Sequence, residues 1–130
     1  MPASGDVLLD TSVVIPFFKG DKVIGAKLAS ATIYLPQTVL GELYCGANLS
    51  ANPAKNRNEI QNFLAAVTVL SLGVATAEHY GQIRAALAKA GTPIPENDIW
   101  IAALAVEHGL PLAARDAHFE KIAGLKTLKW

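Results

Sequence analysis

The sequence predicts an α/β fold, a three-layer α/β/α sandwich with a mostly parallel central sheet. Apolar runs of strand length alternate with segments in which apolar residues recur at helical spacing. Residue types that cap helices or form turns separate the two kinds of segment. Because parallel strands need long crossovers, which helices usually provide, this alternation indicates repeated strand-helix-strand units.

The first two units are the clearest. The apolar run at 7–9 predicts a buried strand that ends at Asp10, a favourable N-cap for the helix that follows. The run at 33–36 predicts the second strand, and Thr38 is the expected cap of the next helix. The remaining elements are expected, in order, as a helix over 58–67, a strand over 67–72, a helix over 76–90 ended by Gly91, a helix over 98–108 capped by Asn97 and ended by Gly109, a strand over 111–114, a short helix around Phe119 and a strand over 126–129.

Size and composition set limits on the class of protein. At 130 residues, with 52% hydrophobic and 17% charged residues, the chain is expected to form a single domain spanning 1–130. No apolar run is long enough for a bilayer span and the first residues lack the basic flank of a signal peptide, so a cytoplasmic location without membrane contact is expected. Cys45, the single cysteine, is expected to be a small core residue on a helix.

The formal net charge of zero weakly opposes nucleic-acid binding, because phosphate recognition normally uses surplus Lys and Arg. A cluster of acids at a metal site would take up negative charge and leave basic residues elsewhere free for phosphates. The candidates for phosphate contact are Lys19, Lys22, Lys55 and Arg57.

The eleven acidic residues divide into two groups. Solvation accounts for Asp6, Asp21, Glu59, Glu78, Glu107 and Glu120. Of the other five, Asp10 and Asp116 each follow an apolar strand, which places them at the carboxyl edge of the sheet. Helix capping explains both positions equally well, so neither residue alone indicates catalysis.

The other three acids belong to helices. Asp98 shares a helix face with Ile101 and Ala105, which points its carboxylate toward the core. Glu42 lies on the flank of its helix, where an ordinary exposed glutamate is an equally good interpretation. Glu96 is interpreted as a helix-entry acid, with a place at the border of the site as the alternative. Of the three histidines, only His118, close to Asp116, is considered for substrate contact.

Four segments, in this order and at these spacings, resemble the PIN-domain VapC toxins. They are 8–12 (LLDTS), 36–47 with its ELYCGA end, 94–103 (IPENDIWIAA) and 115–119 (RDAHF). The resemblance spans nearly the whole chain and implies one acidic pocket made by Asp10, Glu42, Asp98 and Asp116. It also nominates the hydroxyls of Thr11 and Ser12 as supporting groups.

The resemblance further implies an endoribonuclease that cuts tRNA, rRNA or mRNA and is held inactive by a VapB-like antitoxin. Relatives of this kind usually form homodimers. By analogy, Asp10, Asp98 and Asp116 hold the metal, Mg²⁺ with Mn²⁺ as a possible substitute, and Glu42 positions a ligand or a water. Ala114 departs from the family pattern, which usually has Thr or Ser two residues before the last aspartate, so one supporting hydrogen bond is expected to be missing.

The chemistry of such a cluster is consistent with this assignment. Mg²⁺ takes oxygen ligands and keeps several waters, so a few carboxylates and a substrate phosphate suffice to hold it. Two carboxylates about 4 Å apart repel by roughly 4 kcal/mol at an effective dielectric of 20. A four-acid pocket is therefore expected either to bind a divalent cation or to have raised carboxyl pKa values.

Two other functions share an aspartate after the first strand. A haloacid-dehalogenase-like phosphatase would use an Asp-x-Asp motif, and here position 12 is Ser. A non-catalytic receiver-like or protein-binding module with an acidic Mg²⁺ pocket would need a second acid near the first strand and a Lys after a later one. The first strand offers only Asp10, and Arg115 is a poor substitute for the Lys.

Overall fold

The central sheet is built from five parallel strands. We analysed a computed structural model, which describes residues 5–130. The strand order is β3-β2-β1-β4-β5 and all four pairings are parallel, as expected from the alternation of strands and helices. The elements in chain order are β1 (Asp6–Leu9), α1 (Thr11–Phe18), α2 (Lys22–Ala29), β2 (Thr32–Pro36), α3 (Gln37–Leu49), α4 (Pro53–Leu64), β3 (Thr68–Leu70), α5 (Val74–Ala90), α6 (Glu96–His108), β4 (Leu112–Ala113), a 3₁₀ helix (Ala117–Lys121) and β5 (Thr127–Leu128).

The helices cover both faces of this sheet. Strands β1, β2 and β3 follow one another across the sheet, so right-handed crossovers put α1 to α4 on one face. The connection from β3 back to β4 runs in the opposite direction and puts α5 and α6 on the other face. The three-layer arrangement is therefore confirmed. It buries β1 and β4 completely at Leu8, Leu9, Leu112 and Ala113, which form the centre of the core.

The helix α6 has the most deeply buried face. Its residues Ile101 to Leu104 are inaccessible to solvent, and Ala105 is nearly so. A helix that is apolar almost all round packs against neighbours on several sides, and α6 contacts α3, α5 and the 3₁₀ helix. The acidic first turn of α6 is consequently held against a rigid surface.

Two predicted caps are wrong. The helix α3 begins at Gln37 directly after Pro36, and the hydroxyl of Thr38 is buried without a partner among the described residues. The helix α6 begins at Glu96 after Pro95, so Asn97 lies inside the first turn. In both cases the proline holds the extended backbone that precedes a helix, so no side-chain cap is formed.

The prediction also missed α2, and it placed Cys45 wrongly in the core. Gly20 and Gly25 weaken the helical pattern around α2, but Asp21 caps that helix by accepting a hydrogen bond from the main-chain N–H of Ile24 at 3.0 Å. Cys45 is exposed. The buried side of α3 carries residues 43 and 47, and position 45 is about 200° from each around the helix.

Solvation does not account for all of the acids that were assigned to it, as Asp21 and Glu107 show. Asp21 forms an ion pair with Arg115 at 3.1 Å, in addition to its cap. Glu107 accepts a hydrogen bond of 2.5 Å from the hydroxyl of Thr76, a fully buried residue in the first turn of α5. Both partners lie far along the chain, so helical periodicity alone had no means of revealing them.

Candidate active site

Two of the candidate acids follow neighbouring strands at the carboxyl edge of the sheet. Leu9 of β1 lies opposite Ala113 of β4, and the main-chain N–H of Asp10 donates to the carbonyl of Ala113 at 3.0 Å. Asp116 comes three residues after Ala113 and begins the 3₁₀ helix. The parallel pairing thus brings the two acids to one end of the same strand pair.

Short hydrogen bonds fix the direction of both carboxylates. Oδ2 of Asp10 accepts from the main-chain N–H of Ser12 at 3.1 Å and from its hydroxyl at 2.6 Å. Oδ1 of Asp116 accepts from the main-chain N–H of His118 at 2.9 Å. The hydroxyl of Ser12 also accepts from the main-chain N–H of Arg115 at 2.9 Å. Ser12 therefore joins the two loops that carry the acids.

Glu42 approaches this edge from α3, and its surroundings oppose its negative charge. Burial raises the pKa of Glu42 above its usual value, and the charges of Asp10 and Asp98 raise this pKa further. The hydroxyl of Thr11 partly offsets that rise. Glu42 is half-buried and responds to the charges of Asp10 and Asp98, so the interpretation of an ordinary exposed glutamate is wrong.

Asp98 enters the cluster from the first turn of α6, with 16% of its side chain exposed. Burial raises the pKa of its carboxyl, and the charges of Asp10 and Asp116 add to the rise, whereas a hydrogen bond with His118 opposes it. The four candidate acids thus come from four separate elements. The charge of Asp10 acts on both Glu42 and Asp98, and the charge of Asp116 acts on Asp98. Such an arrangement costs free energy unless protons or cations reduce the charge.

The hydroxyl of Thr11 is the polar group without a regular partner at this site. Its oxygen is buried and makes no hydrogen bond of ordinary geometry with the described residues. A buried hydroxyl of this kind costs roughly 1–3 kcal/mol unless something else satisfies it. Thr11 directly follows Asp10, so the unsatisfied hydroxyl belongs to the acidic pocket.

His118 completes the cluster in a way that the sequence did not indicate. Its Nδ1 atom lies 3.1 Å from Oδ2 of Asp98 and 3.0 Å from Oδ1 of Asp116. One ligand atom of each of these three residues lies within 4.8 Å of the others, close enough for a single cation. The only available signal was a histidine two residues after an acid that begins a helix.

Glu96 lies outside the cluster, which agrees with its interpretation as a helix-entry acid. Its carboxylate forms an ion pair with Arg84 at 3.1 Å and accepts a hydrogen bond from the hydroxyl of Tyr80. The ring of Trp100 stacks on that of Tyr80 with centroids 3.9 Å apart. These side chains join α5 to α6 and are packing residues.

Comparison with known proteins agrees with the fold and covers nearly the whole chain. The profile of the family described as PIN domain matches residues 7–125. Ribonuclease VapC2 of Haemophilus influenzae is 35% identical over 127 residues, which cover 95% of this chain and 96% of the relative. The tRNA(fMet)-specific endonuclease VapC of Shigella flexneri is 33% identical with the same coverage. The solved structure of DNA-bound VapBC from Salmonella typhimurium superposes with a TM-score of 0.87 at 30% identity, covering 96% of this chain and 98% of that chain.

Proposed function

The chain belongs to the PIN domain family, and on that premise we propose that it is a VapC-type, Mg²⁺-dependent endoribonuclease. It hydrolyses RNA phosphodiester bonds at the pocket of Asp10, Glu42, Asp98 and Asp116. The observation that carries this proposal is a group of acids from distant parts of the chain, in which burial first, and then the charges of neighbouring acids, raise the pKa of both Glu42 and Asp98. A pocket that gathers this much negative charge is suited to a divalent cation and a phosphate.

The donor set fits a divalent cation. Carboxylate oxygens are the ligands that Mg²⁺ and Mn²⁺ prefer, and Asp98 and Asp116 offer theirs within 4.8 Å of each other. Asp10 would complete the oxygen ligands, and the hydroxyl of Thr11, which acts on Glu42, belongs to the same pocket. When bound, the cation lowers the pKa of a coordinated water and offsets the charge that develops on the leaving oxygen.

Other residues of the pocket hold the carboxylates and position the water or ligand. Ser12 holds the carboxylate of Asp10 through two hydrogen bonds, so its direction is fixed before substrate binds. Glu42, whose raised pKa favours the protonated form more than usual, positions a water or a ligand through its carboxyl group. The buried sheet edge behind these residues excludes water on one side, and the RNA phosphate approaches from the open side.

We further propose a VapB-like antitoxin as the partner. Solved relatives that match most of this chain are VapBC complexes from Salmonella typhimurium and Haemophilus influenzae. An apolar groove between α1, α3 and α4 supports the proposal, because nothing in the described part of the chain covers it. The groove is lined by Ile15, Phe18, Leu43, Ala47 and Ile60.

A homodimer belongs to the same proposal. Leu72 and Val74, at the start of α5, are 36% and 91% exposed, and apolar side chains grouped in this way favour self-association. Light scattering of the purified chain tests this directly, with the double change Leu72→Ser and Val74→Ser as the variant expected to give monomers.

Within the described residues no helix has the length and apolar character to cross a membrane. An enzyme acting on cellular RNA is proposed to work in the cytoplasm.

RNA cleavage is the direct test of the proposed activity. Purified protein is incubated with a total RNA pool, a phosphomonoester and a phosphoryl donor, each with Mg²⁺ and then with EDTA. We expect RNA fragments that disappear with EDTA and no reaction with the other two compounds. Glu42→Gln should abolish cleavage, whereas Glu78→Gln, a matched change of an exposed acid, should leave it unchanged. Full activity of Glu42→Gln would reject the assignment.

A further inference from the structure

The side chain of His118 lies between two of the acids proposed to hold the cation. Its Nδ1 is 3.1 Å from Asp98 and 3.0 Å from Asp116, and 41% of the side chain is exposed. The ring is placed by the 3₁₀ helix, in which the main-chain N–H of His118 donates to the carboxylate of Asp116. The imidazole therefore borders the pocket from the solvent side, where a cation would enter.

These separations match the positions of neighbouring ligands around one ion. An octahedral cation with bonds of about 2.1 Å holds adjacent ligand atoms about 3.0 Å apart. The two distances from Nδ1 agree with that edge length, and the three donor atoms together span no more than 4.8 Å. A hydrogen bond between Nδ1 and Asp98 has nearly the same donor-acceptor distance, so the imidazole can keep one position with and without a metal ion.

We infer that His118 is a nitrogen ligand of the cation, beside the oxygens of Asp98 and Asp116. This inference rests on the proposed metal-dependent site and concerns a residue outside the four acids. In the metal-free protein Nδ1 hydrogen-bonds to Asp98 and lies 3.0 Å from Asp116. As a ligand, Nδ1 would offer its lone pair to the ion in the neutral tautomer that carries its hydrogen on Nε2. His118 thus keeps one position in both states.

A nitrogen ligand changes which cations the site prefers. Carboxylate and water sites suit Mg²⁺, whereas imidazole strengthens binding of transition metals. A carboxylate site that also has one imidazole ligand should therefore bind Mn²⁺ and especially Ni²⁺ more tightly than an all-oxygen site does, with little gain for Mg²⁺. The identity of the metal bound in the cell should therefore depend on the supply of transition metals as well as on that of Mg²⁺.

Nitrogen ligation has a spectroscopic signature that does not depend on RNA cleavage. Mn²⁺ is added to the purified chain below one equivalent, and pulsed electron paramagnetic resonance is used to detect coupling of the metal electron spin to a ¹⁴N nucleus. We expect ¹⁴N coupling in the wild-type chain. Wild-type protein that binds Mn²⁺ without nitrogen coupling, or that binds no Mn²⁺, overturns the inference.

Two matched substitutions locate the nitrogen. His118→Gln keeps a side chain able to donate hydrogen bonds to the carboxylates but removes the imidazole ligand, and His108→Gln makes the same change at the far end of α6. The first variant should lose ¹⁴N coupling and bind Ni²⁺ about tenfold more weakly or worse, with Mg²⁺ affinity changed by less than about threefold. The second should match the wild type in all three measurements. Equal losses in both variants, or none in His118→Gln, would also overturn it.

The two proposals fail separately. A chain that shows ¹⁴N coupling lost in His118→Gln but cleaves no RNA would end the proposed function and leave the ligand assignment standing. A chain that cleaves RNA with Mg²⁺ but shows no nitrogen coupling would keep the function and remove His118 from the metal site.

Discussion

Removing one carboxylate from the acidic pocket should stabilise the metal-free protein. The change is Asp98→Asn, which replaces a buried charge by a neutral side chain of the same shape. Oxygens of Asp98 and Asp116 lie within 4.8 Å, and two full charges at that separation repel by about 3.5 kcal/mol at an effective dielectric of 20. Because Asp116 is 37% exposed and His118 hydrogen-bonds to Asp98, solvent screening and that bond reduce the net gain to about 1 kcal/mol.

Thermal unfolding in EDTA measures this gain. A gain of about 1 kcal/mol corresponds to a rise in Tm of about 4 °C for a domain of this size. With Mn²⁺ or Mg²⁺ at about 100 times its Kd, the wild type should gain about 2.7 kcal/mol, whereas Asp98→Asn should gain little, so the order of the two melting temperatures reverses. An Asp98→Asn protein that melts below the wild type in EDTA would refute the electrostatic reasoning.

The stability of the metal-free protein should also depend on pH through Asp98. The folded-state pKa of Asp98 is raised above its ordinary value of 3.8, so the folded protein binds more protons than the unfolded chain between those two pKa values. Stability contributed by this group is therefore present at low pH and is lost as pH rises through the folded-state pKa. In EDTA, the Tm difference between Asp98→Asn and wild type should grow with rising pH across that window and level off above it. A difference that shrinks with rising pH would contradict the assigned direction.

Three further predictions concern the support of the site, the core and the surface of the protein. Ser12→Ala removes the hydroxyl that hydrogen-bonds to Asp10 and Arg115. This change should lower cleavage about 10- to 100-fold and reduce the free energy of unfolding by about 1–2 kcal/mol. Cleavage equal to that of the wild type would refute the supporting role of Ser12. Phe119→Ala, at a side chain only 1% exposed, should cost about 3–5 kcal/mol by urea unfolding, and a cost below about 1 kcal/mol would contradict its place in the core. Cys45 should react with a thiol reagent in native buffer as fast as in denaturant, and protection in native buffer would contradict its exposure.

The sequence predicted the centre of the sheet well because strands β1 and β4 are almost completely buried and β2 is mostly buried. The strand runs are nearly all apolar and end at residues that cannot continue a buried strand, so β1, β2 and β4 are visible without any tertiary information. The edge positions of Asp10 and Asp116 follow from the same pattern, since residues that leave neighbouring parallel strands meet at one edge. Only the direction of their side chains needed the structure.

The positions of Glu42 and His118 were not predictable from the sequence, because they depend on contacts between helices that are far apart along the chain. Glu42 lies on the flank of α3, and its burial comes from the packing of α3 against α6, whose residues are far away along the chain. The position of His118 between two acids likewise depends on α6 and the 3₁₀ helix meeting. The misplacement of Cys45 had a different origin, because its angle around α3 was readable from residues 43 and 47.

The parallel pairing of β1 with β4 also bears on when the acidic pocket first exists. These two strands are neighbours in space, but β2, β3 and most helices are made between them on the ribosome. A nascent chain that has completed β1, α1 and α3 holds Asp10 and Glu42 but neither Asp98 nor Asp116. The pocket is therefore assembled only after β4 has emerged and docked, so a growing chain does not carry a finished cleavage site past the RNA of its own ribosome.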